Sequence, residues 1–424
     1  MQSRQLHMGL QAGLEQLVDA YASAHGVSMQ LALITPARQH MAASGATSSD
    51  RFLFGSGTKP YTATQLLQAV DAEALTLEEP AARLIDAGIQ SATSPHAAAR
   101  FVDLFGPRAA RVTVGHLIRM QSGIADFDVP KFDDPLLRNA SAIHTPLEFI
   151  KVAAALPNPF VCDPGSCTSY SSTNYILLGF ILLAVENGQV DAASSAVRIS
   201  GGAGRSGGTP WSRLAQRAVF RGDGRFGNCT FIDSGGINRG ATVAGSSSSF
   251  SSIFSRSPVR IWAQDASILG WTCGNLAAPA LEVARFYEAL LLRRDLISAS
   301  SLDSMLECAP IDNGWARGVI TYCGGLMLVE AARRGPYPPK LGDWGTYLGH
   351  GGDTYGFLSE QGVLPRLNAS FSVVVSSDSP RISLTFQVVC PLIEMAAWHL
   401  QKIKLSLGCP RRDSVTHAAA PALY

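Results

Sequence analysis

The order of patterns along the chain predicts an α+β fold in which one antiparallel sheet draws its strands from both chain ends. Strand-like stretches come early, at residues 28–34 and 40–44, and return late, at 324–329, 346–350, 355–363 and 370–376. The late ones alternate apolar and polar residues, as half-buried antiparallel strands do. Helical spacing fills the middle, so helices flank the sheet and the central part is mostly helical. Of 424 residues, 46% are hydrophobic and 16% charged. That apolar content can offset the entropy of ordering the chain and excludes a disordered protein. The 34 basic and 33 acidic residues leave a net charge of +1, with no sustained basic stripe. Nucleic acid is therefore not an expected partner.

Each element has its own signal. Leu10, Leu14, Leu17, Val18 and Tyr21 fall on one face of a first helix, and no continuous apolar signal core lies in the first 25 residues. Residues 36–39, with Pro36, turn between the first two strands. A strand over 51–54 then runs into Gly55-Ser56-Gly57-Thr58-Lys59-Pro60, and a helix over 62–74 follows with Leu66, Leu67 and Val70 on one side. A short helix over 113–120 stops at Ser122-Gly123. The strongly apolar helix over 174–186 begins just after Tyr170-Ser171-Ser172. Residues 191–257 change character, with a Gly/Ser/Arg run at 201–208 and a serine run at 246–249, and read as a flexible surface insertion. Order resumes near 268–271, and 280–292 has the pattern of an amphipathic helix. The closing apolar run over 384–400 is interrupted by Gln387, Pro391, Glu394 and His399, which suits a buried helix and not a membrane span. The expected unit is one domain over 9–405, with its α/β part at 9–58 and about 260–405 and its helical part at about 59–259; residues 406–424 form a flexible tail.

Eight cysteines in a chain this long do not make a small disulfide scaffold. Cys162 and Cys167 flank Asp-Pro-Gly-Ser and can bridge where the compartment oxidises thiols. Sequons at Asn139, Asn228 and Asn368 would suit secretion, although Ser and Thr are abundant enough to supply them by chance. Compartment and oligomeric state stay open. No histidine stands in a metal-binding pattern, and no metal or organic cofactor is expected.

Ser56 and Lys59 are the first candidates for chemistry. Three residues apart at a strand-to-helix junction, they share a face, so the lysine nitrogen reaches the hydroxyl. A serine hydroxyl needs a base to become a nucleophile, and lysine serves as that base if burial or nearby cations lower its pKa. An ordinary N-cap serine beside an exposed lysine is the plainer alternative. The second candidate is Tyr170, whose hydroxyl can relay a proton between nucleophile and leaving group; a half-buried core tyrosine is its plainer account. The third is Gly349-His350-Gly351-Gly352-Asp353, at a strand end where glycines let a backbone or a substrate approach closely. There His350 can donate to a substrate carboxylate, its charge switching near neutral pH.

Two further patterns carry no function. Gly202-Ala203-Gly204-Arg205-Ser206-Gly207 spells a dinucleotide fingerprint without the strand and βαβ unit that one requires. Gly204-Arg205-Ser206-Gly207-Gly208 spells a nucleophile elbow inside a segment too loose to hold the strained turn. Trp271-Thr272-Cys273-Gly274-Asn275 can line a cleft, and a core tryptophan beside a buried thiol is its plainer account.

Taken in order, Ser-x-x-Lys, a tyrosine ahead of a later helix and His-x-Gly on a late strand resemble the serine β-lactamase and penicillin-binding superfamily, in its class C β-lactamase-related branch. The flanking text agrees at Leu75-Thr76-Leu77-Glu78-Glu79-Pro80, Thr113-Val114-Gly115-His116-Leu117-Ile118, Tyr170 to Gly179, and Tyr355-Gly356-Phe357. The resemblance spans roughly residues 10–400, apart from the insertion. It implies a β-lactamase/transpeptidase-like fold and a cofactor-free acyl transfer. It makes Ser56 the acylated nucleophile, Lys59 its proton-transfer partner and Tyr170 the general base and relay. It also makes the backbone N–H groups of Ser56 and Asp353, which follows Gly352, the oxyanion hole. His350 stands where the family's third motif has lysine, a place where some D-Ala-D-Ala peptidases of the family carry histidine.

Two departures bear on substrate. Ser172 stands where the second motif ends in asparagine, offering a shorter side chain with one donor instead of two toward Lys59 or a substrate amide. His350 replaces a lysine, so carboxylate binding weakens as the imidazole loses its proton. Both fit an esterase, amidase or peptidase acting on a small molecule or peptide better than a true β-lactamase. The remaining alternative, a catalytically weak binding or scaffold protein of the same fold, would not require Ser56, Lys59 and Tyr170 together.

Overall fold

A computed structural model of the chain describes residues 9–92, 99–129, 139–186, 226–245, 261–313, 319–332 and 339–409, with a few single residues and short stretches between them. Its main sheet has eight strands: β1 (Met29–Ile34), β2 (Gln39–Ser44), β8 (Ala309–Pro310), β9 (Thr321–Tyr322), β10 (Met327–Glu330), β11 (Thr346–Thr354), β12 (Phe357–Leu364) and β13 (Ala369–Val375). The order is β2-β1-β13-β12-β11-β10-β9-β8. β1 pairs antiparallel with β13, Leu31 opposite Val373, so strands from the two chain ends lie side by side, one strand in from the β2 edge of the sheet.

Both faces of this sheet are covered, which explains why β1 and β13 are buried at every residue. Helix α1 (Leu10–His25) lies on the face carrying His40, whose Nδ1 is 3.2 Å from Gln11 Oε1. Gln30 points to the opposite face, where its Oε1 accepts from the Ala280 backbone at 2.8 Å, at the start of a helix over Ala280–Tyr287. The anticipated face of α1, Leu10 through Tyr21, is buried.

The helical part contains α2 (Lys59–Asp71), α3 (Ala82–Ala92), α4 (Val114–Ile118), α5 (Pro146–Ala154) and α6 (Ser172–Glu186). Thr113 starts α4 by accepting from the His116 backbone at 3.1 Å, while His116 Nδ1 accepts from the Thr113 N–H at 3.2 Å. Helix α6 is buried from Ser172 to Ala184, as a helix apolar on all sides must be. Gly88 of α3 lets it approach, since a Cβ there would sit 2.0 Å from the Phe180 carbonyl oxygen.

A second sheet orders β3 (Phe52–Leu53), β7 (Leu276–Ala278) and β6 (Thr230–Phe231). It corrects part of the sequence reading: residues 226–245 are no loose insertion, because Phe226, Cys229, Ile232 and Ile237 are buried in the core and β6 pairs with β7, which in turn pairs with the strand that precedes Ser56. Earlier in the chain, β4 (Val190–Asp191) and β5 (Ser194–Val197) form a two-stranded ladder. The Gly-rich run at 201–208 and the serine run at 246–249 lie outside the described residues.

Disulfides join Cys162 to Cys167, Cys308 to Cys323 and Cys390 to Cys409, leaving Cys229 and Cys273 as buried thiols. The last bridge also corrects the expected start of the tail at 406. It ties Cys409 to the closing helix (Cys390–Gln401), and Leu407 N–H donates to Glu394 Oε1 at 2.6 Å. Asn139, Asn228 and Asn368 are each exposed. Among the described residues, no helix is long and apolar enough to cross a membrane.

Candidate active site

The nucleophile candidate is set by two backbones in contact. Phe54 N–H donates to the Leu276 carbonyl at 3.0 Å, anchoring the end of β3, and the chain then tightens into a 3₁₀ turn over Gly55–Thr58. Gly55 has φ +48°, and a Cβ there would lie 2.4 Å from the Asp353 carbonyl oxygen. On the other side, a Cβ on Gly352 would lie 1.9 Å from the Phe54 carbonyl oxygen. Only glycines permit this approach, which brings the backbone of Ser56 beside that of Asp353.

Ser56 is partly exposed and Lys59, at the start of α2, is fully buried. Lys59 Nζ donates to Ser56 Oγ at 2.7 Å and to the Cys273 carbonyl at 3.3 Å. The Tyr170 hydroxyl is hydrogen-bonded to both Lys59 and Ser56, and its ring centroid lies 5.0 Å from the ammonium. Among the described residues, no hydrogen bond joins Lys59 to Ser172. Ser172 instead opens α6 and gives its backbone N–H to Asp126.

Electrostatics overturn one expectation for Lys59. Burial does work against its charge, but Tyr170, Cys273 and Asp126 outweigh it and hold the pKa above the ordinary lysine value. Burial likewise raises the Tyr170 phenol, against the opposing pull of Lys59 and Ser56. The resting pair is thus an ammonium and a neutral phenol, not a free amine.

His350 is corrected more strongly. It lies on β11 with its ring 6.2 Å from that of Tyr170, so the structure does bring it to the site, but it is entirely buried. Burial, helped by the Lys59 charge, pushes its pKa down to about 3. Its Nδ1 faces the Gly351 carbonyl at 2.5 Å, and its Nε2 is 3.4 Å from the Tyr322 hydroxyl. With a proton on Nδ1 donated to that carbonyl, the ring is neutral, and no charge switch occurs near pH 7. Asp353, two residues beyond Gly351, is exposed at the rim.

Two site residues, Asp126 and Tyr322, escaped the sequence reading. Asp126, partly buried in the loop after α4, is pushed up to about 7 by burial and by Asp128, against the Ser172 N–H and Lys59. Tyr322 on β9 packs edge-on against Tyr170 and hydrogen-bonds Tyr175 of α6. The Cys273 carbonyl forms part of the floor under Lys59, while the 271–273 side chains are core as read. No spacing links these residues to Ser56; only the fold collects them. Among the described residues, no group of three or more His, Cys, Asp or Glu side chains is placed to hold a metal ion.

Comparison with solved structures gives the same architecture. A D-stereospecific amidohydrolase from Streptomyces sp. matches with a TM-score of 0.63 at 21% identity, over 87% of this chain and 94% of that one. A D-amino acid amidase from Ochrobactrum anthropi SV3 matches with a TM-score of 0.64 at 19% identity, over 93% and 99%. An octameric penicillin-binding protein homologue from Pyrococcus abyssi matches with a TM-score of 0.58 at 18% identity, over 92% and 76%. At such identities these likenesses establish the β-lactamase/transpeptidase-like fold. A comparison with curated protein sequences finds no match. The family model described as Beta-lactamase matches residues 14–384, which takes in the Ser56 turn, Tyr170 and the β11 glycines. With that span and this fold, the chain belongs to the Beta-lactamase family.

Proposed function

We propose that the chain is a serine hydrolase that cleaves ester, amide or peptide bonds through an acyl-enzyme on Ser56. The observation that carries this reading is the 2.7 Å contact from Lys59 Nζ to Ser56 Oγ, with the Tyr170 hydroxyl bonded to both. The pair of Lys59 and Tyr170 first gives up one proton, then accepts the Ser56 proton as Oγ attacks the substrate carbonyl. Backbone N–H groups of Ser56 and Asp353 face the developing oxyanion. Tyr170 returns the proton to the leaving amine or alcohol, and water enters by the reverse route.

The neutral His350 supplies no cation for a substrate carboxylate, and Ser172 offers less than an asparagine would. Both favour esterase, amidase or peptidase chemistry over β-lactam hydrolysis. The names of two structural neighbours, an amidohydrolase and an amidase, support amide bonds among the substrates.

The test is hydrolysis of p-nitrophenyl esters and of D- and L-amino acid p-nitroanilides by wild type and Ser56→Ala. Turnover of at least one substrate class by wild type, lost in the variant, is expected. Equal turnover by both proteins would remove Ser56 from the mechanism.

A further inference from the structure

We propose that Tyr322 is a positioning residue for Tyr170 and that the Cys308–Cys323 disulfide is what holds it in place. The inference rests on the serine-hydrolase reading above. Tyr322 touches the proton-transfer group from behind: its ring stands edge-on to Tyr170 at 5.8 Å and edge-on to His350 at 5.8 Å. Its hydroxyl donates to that of Tyr175, which in turn donates to the Ile118 carbonyl at 2.9 Å, and lies 3.4 Å from His350 Nε2. Tyr170 is therefore held between the Lys59 ammonium on one side and the Tyr322–His350 wall on the other.

That wall stands on a short ladder, closed at its ends by the Cys323 N–H to the Leu326 carbonyl at 2.8 Å and the Ile311 N–H to the Ile320 carbonyl at 3.1 Å. β9 is only Thr321–Tyr322, paired with two residues of β10 and with β8, itself two residues long and the last strand of the sheet. So short an edge ladder opens readily. The next residue, Cys323, is fully buried and bonded to Cys308, just beyond the helix over Ala299–Met305. The Gly324 N–H donates to the Met305 carbonyl at 2.8 Å beside the bridge. The disulfide thus fastens β9 to that helix one residue from Tyr322, by limiting the freedom of the opened loop.

Cys308 is exposed, so a dithiol can reach the bridge. A thiolate of the dithiol bonds to Cys308 Sγ and expels the Cys323 thiolate, which takes a proton. The second thiol then closes on the first, leaving two protein thiols and one cyclic disulfide. Reduction frees β9, loosens Tyr322 and lets the Tyr170 hydroxyl stray from Ser56 and Lys59. Because proton transfer is affected and the binding surface is not, the loss falls on the chemical step.

The experiment reduces the full-length protein with graded dithiothreitol, alkylates with iodoacetamide, maps the modified cysteines by mass, and measures how fast a fluorophosphonate labels Ser56. Protein alkylated at Cys308 and Cys323 is expected to show a limiting labelling rate about tenfold lower, with the half-saturating probe concentration within about twofold of the oxidised form. Reoxidation restores the rate. Tyr322→Leu reproduces the loss, whereas Tyr322→Phe, which keeps the ring, stays within about threefold of wild type. A Cys308→Ser/Cys323→Ser protein labels slowly and does not respond further to dithiothreitol, which separates this bridge from the other two. An unchanged rate with both cysteines alkylated overturns the proposal, as does wild-type labelling by Tyr322→Leu; both readouts stand even if the double serine variant fails to fold. Oxidised wild type that takes no label at all sinks the serine-hydrolase reading first, and this inference with it.

Discussion

Lys59 Nζ lies 2.7 Å from Ser56 Oγ although the side chain that carries it is closed off from solvent. An ammonium is buried this completely only where partners replace its water. Here they are a serine hydroxyl, a backbone carbonyl and a phenol. Of these the Tyr170 phenol, with Cys273 and Asp126 nearby, makes it reluctant to give up its proton. Removing either member of the proposed proton-transfer pair should therefore be costly. Lys59→Ala and Tyr170→Phe are each expected to slow Ser56 acylation by roughly 10² to 10⁴. The double variant should be little worse than either single one, because the two act as a unit. Single-turnover labelling kinetics on the three proteins check this, and multiplicative losses would contradict it.

The protonated state of that pair sets the pH dependence. Both Lys59 and Tyr170 are raised, so the reactive form, one proton poorer, gains population as pH rises. The acylation rate should climb from neutral into alkaline solution. Asp126 contributes to holding both protons, and its removal eases their release. Asp126→Asn is accordingly expected to move the rising limb to lower pH, by roughly one unit. A limb that stays put or moves upward in the variant argues against this arrangement of charges.

His350 makes a stability prediction with the opposite emphasis. Its folded pKa of about 3 lies below the unfolded value of 6.5, so between those limits the unfolded chain binds the extra proton. Its contribution is complete above pH 6.5 and is lost as pH falls toward 3, at up to about 1.4 kcal/mol per unit. Between pH 7 and pH 5 wild type should lose about 2 kcal/mol more than His350→Asn. Urea unfolding at the two pH values measures the difference, and parallel losses in both proteins would exclude His350 as the source.

Gly352 tests the backbone contact that places Ser56. A Cβ in Gly352→Ala meets the Phe54 carbonyl oxygen at 1.9 Å, and two bonded backbones, not a flexible side chain, must give way. Labelling of Ser56 should fall by roughly a hundredfold while the protein stays folded. Far-UV circular dichroism and labelling kinetics on one preparation separate the two effects; a wild-type rate would mean that this approach does not shape the site.

Much of this site was legible because its residues sit close in sequence or in strongly patterned elements. Ser56 and Lys59 are three apart on one helical turn, α1 carries its apolar face at regular intervals, β1 is apolar but for Gln30, and β13 alternates Ala369, Phe371 and Val373 with Ser370 and Ser372. The charge states were not legible. Burial of His350 and the carbonyl beneath Lys59 come from β11 and the 271–273 segment folding over α2, which no local spacing records. Tyr322 lies in a two-residue strand too short for alternation to mark, and Asp126 is one carboxylate in an irregular loop. Residues 226–245 looked loose by their glycines and by their neighbours in sequence. Four spaced apolar residues, Phe226, Cys229, Ile232 and Ile237, nevertheless pack them into the core.

A covalent bond to Ser56 adds a defined mass to the intact protein. Wild type and Ser56→Ala are incubated with a fluorophosphonate and, separately, with penicillin. Wild type is expected to carry one fluorophosphonate adduct and the variant none, and a penicillin adduct is expected to form on Ser56 and clear slowly. Absence of both adducts from wild type, or an adduct that survives in Ser56→Ala, would contradict an acyl-enzyme on Ser56.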